Sequence, residues 1–206
     1  MVLDTRLYLV TDSEGRSAAD FLDTVAQACM GGVTLVQLRE KEKSGRDYYD
    51  IAVKVKNVTD RFGIPLIIDD RVDIALASGA GGVHLVKEDL PVAAARRLMA
   101  GKFVGATAKT VEQAKAAAAA GADYLGVGAI YPTTTKVVTV LTPVSTLCDI
   151  VKNINIPAVA IGGLNAGNMH VLYGSGASGI AVVTAIMNSE NPKETAEQLL
   201  RQAAKL

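Results

Sequence analysis

Short apolar runs with strand character alternate with longer helix-like patterns along almost the whole chain of 206 residues. Most of these runs are continuously apolar, which is typical of parallel strands that helices cover on both faces. The alternation therefore predicts an α/β fold with a parallel sheet. The strand-like runs are 7–11, 33–39, 65–69, 82–86, 102–107, 124–130, 157–162 and 179–183.

Helical patterns separate these runs, and a weak repeat marks where helices end. The segments "ASGAGGVHL", "AAGADYLGVG" and "GSGASGIAVV" each place a glycine where a helix would close and enter a strand soon afterwards. Glycine suits the left-handed residue that commonly follows a helix. The clearest helical patterns are 17–30, 45–61, 111–120, 143–153 and 189–204.

Eight such β–α units favour a closed (β/α)₈ TIM barrel that forms one domain over residues 1–206. An open, doubly wound sheet is the alternative architecture. That fold more often carries a G-x-G-x-x-G turn after its first strand, and "VTDSEGRS" does not match this pattern.

The charge balance limits the classes of partner. The chain has 21 Lys and Arg residues against 21 Asp and Glu residues, so electrostatics favours neither nucleic acid nor membrane as partner. No apolar stretch is long enough to span a membrane, and no signal peptide is recognisable. Cys29 and Cys148 lie far apart and are interpreted as buried thiols, which predicts a cytoplasmic protein. Whether the protein forms a homo-oligomer stays open.

Polar side chains cluster at the predicted carboxyl ends of the strands, where barrel enzymes carry their active sites. The second strand ends in "VQLREK". Since side chains alternate along a strand, Gln37, Arg39 and Lys41 point to the same side and can meet in the barrel mouth.

Two carboxylates follow neighbouring strands. Asp70 and Asp89 follow strands about 5 Å apart, and they repel each other unless a cation lies between them. Mg²⁺ prefers a few carboxylates, waters and phosphate oxygens, and therefore suits this gap. The surrounding cations Arg39, Lys41 and Lys136 then indicate a multiply charged anion such as pyrophosphate. Alternatively, Asp70 caps a helix from about residue 71, and Asp89 caps one beginning at Pro91.

A second anion site is predicted across the barrel mouth. The segments "AIGGLN" and "VVTAI" follow the seventh and eighth strand-like runs, where barrels commonly bind a phosphate. Gly162 and Gly163 leave room for close approach, and Thr184 offers a hydroxyl. The alternative is that the two glycines only form a tight turn.

The segment "VGAIYPTTTK" links the sixth strand to this mouth. Pro132 ends the strand, and the threonines at 133–135 with Lys136 follow directly. We interpret the segment as a substrate loop, in which the hydroxyls offer neutral hydrogen bonds and the lysine supplies charge.

These segments together resemble the thiamine phosphate synthase family. The family's order is matched by "LYLVTD", "VQLREK", "DDRVDIAL", "ADYLGVGAIYPTTTK", "PAVAIGGLN" and "GIAVVTAI". The resemblance implies a (β/α)₈ fold and a Mg²⁺-assisted transferase. Its substrates would be 4-amino-2-methyl-5-hydroxymethylpyrimidine diphosphate and 4-methyl-5-(2-phosphoethyl)thiazole, and its products thiamine phosphate and pyrophosphate.

The resemblance also implies roles for individual residues. Asp70 and Asp89 would bind the metal, and Arg39, Lys41 and Lys136 would be catalytic as cations around the leaving diphosphate. The substrate-binding set would be Gln37, Arg39, Lys41, Asp69, Thr107, Thr133, Thr135, Lys136, Gly163, Val183 and Thr184.

Several positions depart from the family pattern. Val86 and Lys87 stand where Gly-Gln is common, and Asp69 stands where Asn is common. Thr107 and Lys109 replace Ser and His, and Thr184 replaces Ser. A valine in place of glycine is costly wherever the backbone needs a positive φ.

Two alternative functions stay open at this point. A thiazole tautomerase would need a histidine acid or base, and the two histidines are His84, in a strand pattern, and His170, in a helix pattern. A non-catalytic protein that binds thiamine phosphate or pyrophosphate is favoured by the Val86 and Lys87 departures.

Overall fold

Eight parallel strands close into a barrel in the computed structural model, which describes residues 3–133 and 140–206. Each strand pairs with the next along the chain, and β1 pairs with β8, so the predicted barrel is confirmed. The strands are β1 Leu7–Val10, β2 Leu35–Leu38, β3 Leu66–Asp69, β4 Gly82–Leu85, β5 Phe103–Ala108, β6 Tyr124–Gly128, β7 Ala158–Ile161 and β8 Gly179–Val182.

Helices occupy the connections between the strands. All five predicted helical patterns are confirmed, and shorter helices follow β3, β4 and β8. A 3₁₀ helix at Met169–Leu172 lies between β7 and β8. The α-helices are α1 Ala18–Met30, α2 Gly45–Asp60, α3 Val72–Ala77, α4 Val92–Leu98, α5 Val111–Ala119, α6 Val144–Asn153, α7 Thr184–Met187 and α8 Pro192–Ala203. None of the helices in the described part of the chain could cross a membrane.

Side-chain caps determine where the longer helices begin. The Ser17 hydroxyl accepts a hydrogen bond from the Asp20 backbone N–H at 3.1 Å, and Ser44 does the same for Asp47 at 3.2 Å. Such caps satisfy a backbone donor that has no partner within the helix and stabilise it by about 1 kcal/mol. The glycines of the repeat behave as predicted, since Gly79 and Gly121 have φ of +71° and +97°.

The strands bury both of their faces in two separate apolar clusters. Outward-facing residues such as Leu9, Val36 and Ile68 pack against the helices. Inward-facing residues fill the base of the barrel, and this cluster contains Tyr8, Val10, Leu35, Ile67, Tyr124, Val159 and Ala181. Because these side chains fill the base of the barrel, we expect ligands to bind at its mouth.

The cysteines fit this packing only in part. Cys29 lies in α1 and is buried as predicted, and burial raises the pKa of its thiol to about 12. Cys148 lies in α6 and is only half-buried.

Candidate active site

A cavity of about 590 Å³ opens at the carboxyl ends of the strands. Most of the residues assigned to substrate or catalysis from the sequence line it, which places them in one site. Those lining residues are Gln37, Arg39, Lys41, Asp69, Thr107, Thr133, Gly163, Val183 and Thr184.

The end of β2 contributes the cationic side of the cavity. Gln37, Arg39 and Lys41 all line it, so the predicted alternation of side chains is confirmed. Leu38, between the first two, packs into the outer core instead. Glu40 accepts a hydrogen bond from the Ser13 hydroxyl at 2.9 Å. Burial raises the pKa of Glu40.

Lys41 bridges two consecutive carboxylates at the end of β3. Its ammonium lies 2.8 Å from Oδ2 of Asp69 and 2.6 Å from Oδ2 of Asp70. Burial raises the pKa of Asp69, and the hydrogen bond and charge of Lys41 oppose that rise. Burial also works to lower the pKa of Lys41, but its two carboxylate partners outweigh burial and raise it. The cation is therefore held in place and fully charged.

Asp70 has an uncommon backbone conformation, with φ of +58°. It is the one non-glycine residue with positive φ in the described part of the chain. Its N–H donates to the carbonyl of His84 at 2.9 Å, which joins the end of β3 to β4. The helix-cap alternative for Asp70 is wrong, because Arg71 is the N-cap of α3 and no side chain caps that helix.

Asp89 stabilises the loop after β4. Its Oδ2 accepts a hydrogen bond from the Val86 backbone N–H at 2.7 Å. The cap alternative is wrong here too, since Pro91 occupies the N-cap of α4 without a side-chain bond. Asp89 therefore closes its own loop at the barrel mouth.

The carboxylates at this edge suit Mg²⁺ in number and chemistry. Within the described residues no three His, Cys, Asp or Glu side chains gather as a metal cluster. Mg²⁺ needs fewer protein ligands, because it keeps several waters and is often bound by one or two carboxylates plus phosphate oxygens. The Lys41 ammonium between Asp69 and Asp70 shows that this edge already accepts positive charge. Asp70 and Asp89 are not among the residues that line the cavity, since the Asp70 carboxylate is bonded to Lys41 and the Asp89 carboxylate to the Val86 N–H. Their role as metal ligands stays a prediction.

The loop after β7 forms the opposite wall. Gly162 and Gly163 have φ of +105° and +62°, so the tight turn is confirmed. A methyl group on Gly163 would lie 2.7 Å from the carbonyl oxygen of Pro132. The Tyr131 N–H also donates to the Gly162 carbonyl at 3.0 Å. The glycines therefore allow the loops after β6 and β7 to pack together, and Gly163 still lines the cavity.

The loop after β6 reaches the cavity at Thr133. Its far end is anchored by Thr142, whose N–H and hydroxyl donate to the carbonyls of Ala129 and Gly128 at 2.8 Å and 2.9 Å. The predicted site residues Thr135 and Lys136 lie outside the described residues.

Tyr8 and Tyr124, at the base of the cavity, had no site role in the sequence analysis, and His84 beside them was considered there only as the acid or base of a tautomerase. Tyr8 and His84 line the cavity, and Tyr124 is fully buried and bonds to both. Burial, together with the charge of Lys41, lowers the pKa of His84 to about 4. The available signal was strand parity, which puts Tyr8 two residues before the inward-facing Val10.

Comparison with known proteins agrees with this geometry. A family model for thiamine monophosphate synthase matches residues 7–186, which include every barrel strand. The chain belongs to the thiamine monophosphate synthase family.

Relatives within the thiamine monophosphate synthase family match the chain over nearly its full length. A thiamine-phosphate synthase of Ruminiclostridium cellulolyticum is 48% identical over 199 residues, which cover 96% of this chain and 95% of that protein. One of Enterococcus faecalis is 51% identical over 197 residues, covering 95% and 93%. The solved structure of a thiamine phosphate pyrophosphorylase from Pyrococcus furiosus has a TM-score of 0.89, with 34% identity and coverage of 98% and 96%.

The departures from the thiamine monophosphate synthase pattern are accommodated locally. Val86 does not adopt a positive φ, so the strain expected from replacing glycine there is absent. Lys87 and Lys109 both line the cavity and add positive charge to it. The extra carboxylate of Asp69 is paired with Lys41 at 2.8 Å and lies 3.9 Å from the Arg39 guanidinium.

Proposed function

We propose that the protein is a thiamine phosphate synthase. It would join 4-amino-2-methyl-5-hydroxymethylpyrimidine diphosphate to 4-methyl-5-(2-phosphoethyl)thiazole and release pyrophosphate. The observation that carries this proposal is the lining of the cavity at the carboxyl ends of the strands. It has a cationic wall at Arg39 and Lys41, after β2, and a glycine-lined wall at Gly163 and Thr184, after β7 and β8. Such a site suits two anionic substrates whose reacting groups meet between the walls.

The cationic wall binds the diphosphate of the pyrimidine substrate. Arg39 and Lys41, with Lys136 from the family resemblance, act as the catalytic cations that stabilise the leaving group. Gln37, Asp69 and Thr107 also line the cavity, and they bind the same substrate.

Asp70 and Asp89 are the residues that would hold Mg²⁺. When bound, the ion neutralises part of the charge that develops on departing phosphate oxygens. The Asp70 N–H donates to the carbonyl of His84 in β4, and the Asp89 carboxylate accepts from the N–H of Val86, the residue after β4. The first bond fixes the Asp70 backbone, and the second fixes the Asp89 carboxylate, which supports assigning both acids to one metal site.

The opposite wall binds the thiazole phosphate. Gly163, Val183 and Thr184 supply backbone groups and a hydroxyl, while Thr133 and Thr135 belong to the loop that covers the substrates. This assignment rests on the family resemblance and on the cavity lining for the described members.

The reaction is dissociative and needs no protein nucleophile. The bond between the pyrimidine methylene carbon and the diphosphate oxygen breaks, and its electron pair leaves with pyrophosphate. The ring amino group stabilises the resulting methylene cation, and the lone pair of the thiazole nitrogen captures it. The protein's part is to hold the two rings in line and to stabilise the leaving charge.

The positions of the two histidines argue against the tautomerase alternative. His84 is buried, and its two ring nitrogens lie within hydrogen-bond distance of Tyr124 and Thr107. With its pKa lowered to about 4, it is a poor base for abstracting a substrate proton. His170 is exposed in the 3₁₀ helix after β7.

We further propose that residues 1–206 act as one cytoplasmic domain on small-molecule substrates, without nucleic acid or membrane. Assembly as a homo-oligomer is part of the same proposal and is tested by light scattering of the purified protein.

The test incubates purified protein with both substrates and Mg²⁺ and follows pyrophosphate release together with thiamine phosphate by chromatography. We expect stoichiometric formation of both products. Asp89→Ala should abolish metal-dependent turnover, whereas Asp73→Ala, an exposed acid paired with Arg71, should retain it. Tight binding of thiamine phosphate without any turnover would overturn the proposal and favour a binding protein.

A further inference from the structure

Tyr48 ties together the ends of β2 and β3. It lies in the first turn of α2, is 1% exposed, and is not among the residues that line the cavity. Its hydroxyl donates to the carbonyl of Leu38 at 2.8 Å and to the carbonyl of Asp69 at 3.1 Å. These two residues are the last of β2 and of β3. One buried hydroxyl therefore bridges the two strands at the point where they enter the site.

This bridge extends the connection between the two strands into the site. The pairing of β2 with β3 ends at Leu38 and Ile68, one residue before Asp69. The Tyr48 hydroxyl adds a bond at that next residue. The charges of the cavity edge lie here, with Lys41 after β2 and Asp69 at the end of β3. The bridge therefore influences the distance between the two chain segments that carry these charges.

The Asp69 carbonyl also closes the turn that carries Asp70. It accepts the Arg71 N–H at 2.7 Å, across Asp70, whose φ is +58°. A three-residue turn of this hand is rare and strained, so it persists only where the surrounding structure supports it. A carbonyl oxygen has two acceptor positions, and the Tyr48 hydroxyl is its second donor. Tyr48 therefore supports the backbone conformation in which the Asp70 carboxylate lies 2.6 Å from the Lys41 ammonium.

The surroundings keep Tyr48 protonated and fixed. Burial raises the pKa of Tyr48, and the charges of Asp69 and Asp70 raise it further, so the hydroxyl keeps its proton at neutral pH. The Tyr48 N–H donates to the Ser44 carbonyl at 2.9 Å, and the Ser44 hydroxyl caps the same helix. The first turn of α2 thus holds a constant donor against the two strand ends.

We propose that Tyr48 is a positioning residue, which bridges the ends of β2 and β3 and so holds the Lys41 ammonium between Asp69 and Asp70. The ammonium lies 2.8 Å from one carboxylate and 2.6 Å from the other, and it reaches both only while the strand ends keep their present separation. A lysine held in this way meets an anion without first having to be ordered. The inference rests on the proposed function, since it concerns the wall assigned to the diphosphate.

Tyr48→Phe tests the bridge, because it removes the hydroxyl and leaves the ring and both carboxylates in place. Calorimetry with inorganic pyrophosphate and Mg²⁺ measures the affinity of the cationic wall without any turnover. We expect that affinity to fall by about tenfold, as when one long side chain must be ordered on binding. The affinity for the thiazole phosphate, which is assigned to the wall after β7 and β8, should not change. Unchanged pyrophosphate affinity, or equal weakening of both ligands, would overturn the inference.

Thr59→Val is the matched control for this experiment. The Thr59 hydroxyl belongs to a fully buried residue at the opposite end of α2, where it donates to the Lys56 carbonyl at 3.2 Å. Both variants therefore lose one hydroxyl from the same helix, and urea unfolding measures the loss of stability in each. Only Tyr48→Phe should weaken pyrophosphate binding. The same weakening in Thr59→Val would indicate a general effect of destabilising α2 and would overturn the inference.

A double-mutant cycle tests whether Tyr48 acts through Lys41. In Lys41→Met the ammonium that Tyr48 positions is absent, so adding Tyr48→Phe should weaken pyrophosphate binding by about twofold or less. Fully additive effects would show that Tyr48 acts independently of Lys41 and would overturn the inference.

Failure of the proposed function gives a different result. Wild-type protein that binds pyrophosphate in a Tyr48-dependent way but forms no thiamine phosphate would reject that function and still support the positioning role. Wild-type protein that does not bind pyrophosphate would reject both.

Discussion

The Lys41 ammonium lies 2.6 Å from Oδ2 of Asp70 and so joins the ends of β2 and β3 across the cavity edge. The same ammonium is 2.8 Å from Asp69, which is buried. An arriving diphosphate therefore meets a lysine that two carboxylates already hold in position. The conformational entropy of the Lys41 side chain is therefore lost on folding and not during the reaction. Its positive charge is already in place when pyrophosphate leaves.

Lys41→Met keeps the length of the side chain and removes its charge. We expect turnover to fall by about 100-fold or more, since the variant lacks the preorganised positive charge that stabilises the leaving pyrophosphate. Stability should fall by about 1–2 kcal/mol, less than for a fully buried pair, because Lys41 is partly exposed. Pyrophosphate release and urea unfolding measure the two effects. The control is Lys43→Met, whose ammonium is 3.6 Å from Glu40 and as exposed as that of Lys41. Near-normal turnover in Lys41→Met would contradict this role.

Asp69→Asn tests the extra carboxylate of this chain. The uncharged amide of the variant would not form an ion pair with Lys41, so more of the lysine's positive charge is available to the diphosphate. We therefore expect KM for the pyrimidine diphosphate to fall several-fold. The pH dependence of stability should change as well. Burial raises the folded-state pKa of Asp69, so the native state binds more protons than the unfolded state between about pH 4 and that raised pKa. Wild-type stability is therefore lost as pH rises through this window, and the Asn variant should lack that loss. Equal slopes in urea unfolding across the window would contradict the argument.

The barrel and much of its site could be predicted from the sequence, because the pattern of apolar and polar residues along the chain indicates both the strands and the direction of their side chains. Continuous apolar runs marked all eight strands, and alternation along β2 placed Gln37, Arg39 and Lys41 on one side, where the structure has them. These are local properties of the chain. They survive folding because parallel strands must bury both faces.

Features that depend on long-range contact could not be predicted. Tyr8 and Tyr124 read as ordinary strand residues, and their hydroxyls meet across 116 positions only after the barrel closes. The left-handed backbone conformation of Asp70 could not be predicted either, since an aspartate at this position of the sequence is also typical of a helix N-cap. Its conformation depends on the bond to the His84 carbonyl, which belongs to another strand.

Asp70 offers a way to separate charge from backbone conformation. Asn adopts positive φ readily, so Asp70→Asn should lose metal-dependent turnover with little loss of stability. Asp70→Ala should lose the same activity and about 1 kcal/mol of stability in addition, because alanine is strained at φ of +58°. Turnover at several Mg²⁺ concentrations and urea unfolding distinguish the two effects. Equal stability of the two variants would show that the backbone strain is unimportant.

His84 should make the protein less stable in mild acid. Its folded-state pKa is lowered to about 4 from an ordinary value of 6.5, so the unfolded state binds more protons between these values. Stability is therefore lost as pH falls through this window, by about 2 kcal/mol between pH 7 and pH 5. His84→Gln should lack this component, whereas the exposed His170→Gln should keep it. Urea unfolding at the two pH values measures the difference, and an unchanged slope in His84→Gln would contradict the assignment.

Gly163→Ala tests the contact between the loops after β6 and β7. The added methyl group would lie 2.7 Å from the Pro132 carbonyl oxygen, at a residue whose φ is +62°. Gly174→Ala is the matched control, because its φ is +76° and no atom lies within 4 Å of the added methyl group. Both variants should lose about 1 kcal/mol from the left-handed backbone. Only Gly163→Ala should also weaken binding of the thiazole phosphate, by displacing the loop that carries Thr133. Calorimetry with that substrate measures the effect, and equal affinities in the two variants would show that the loop contact does not shape the site.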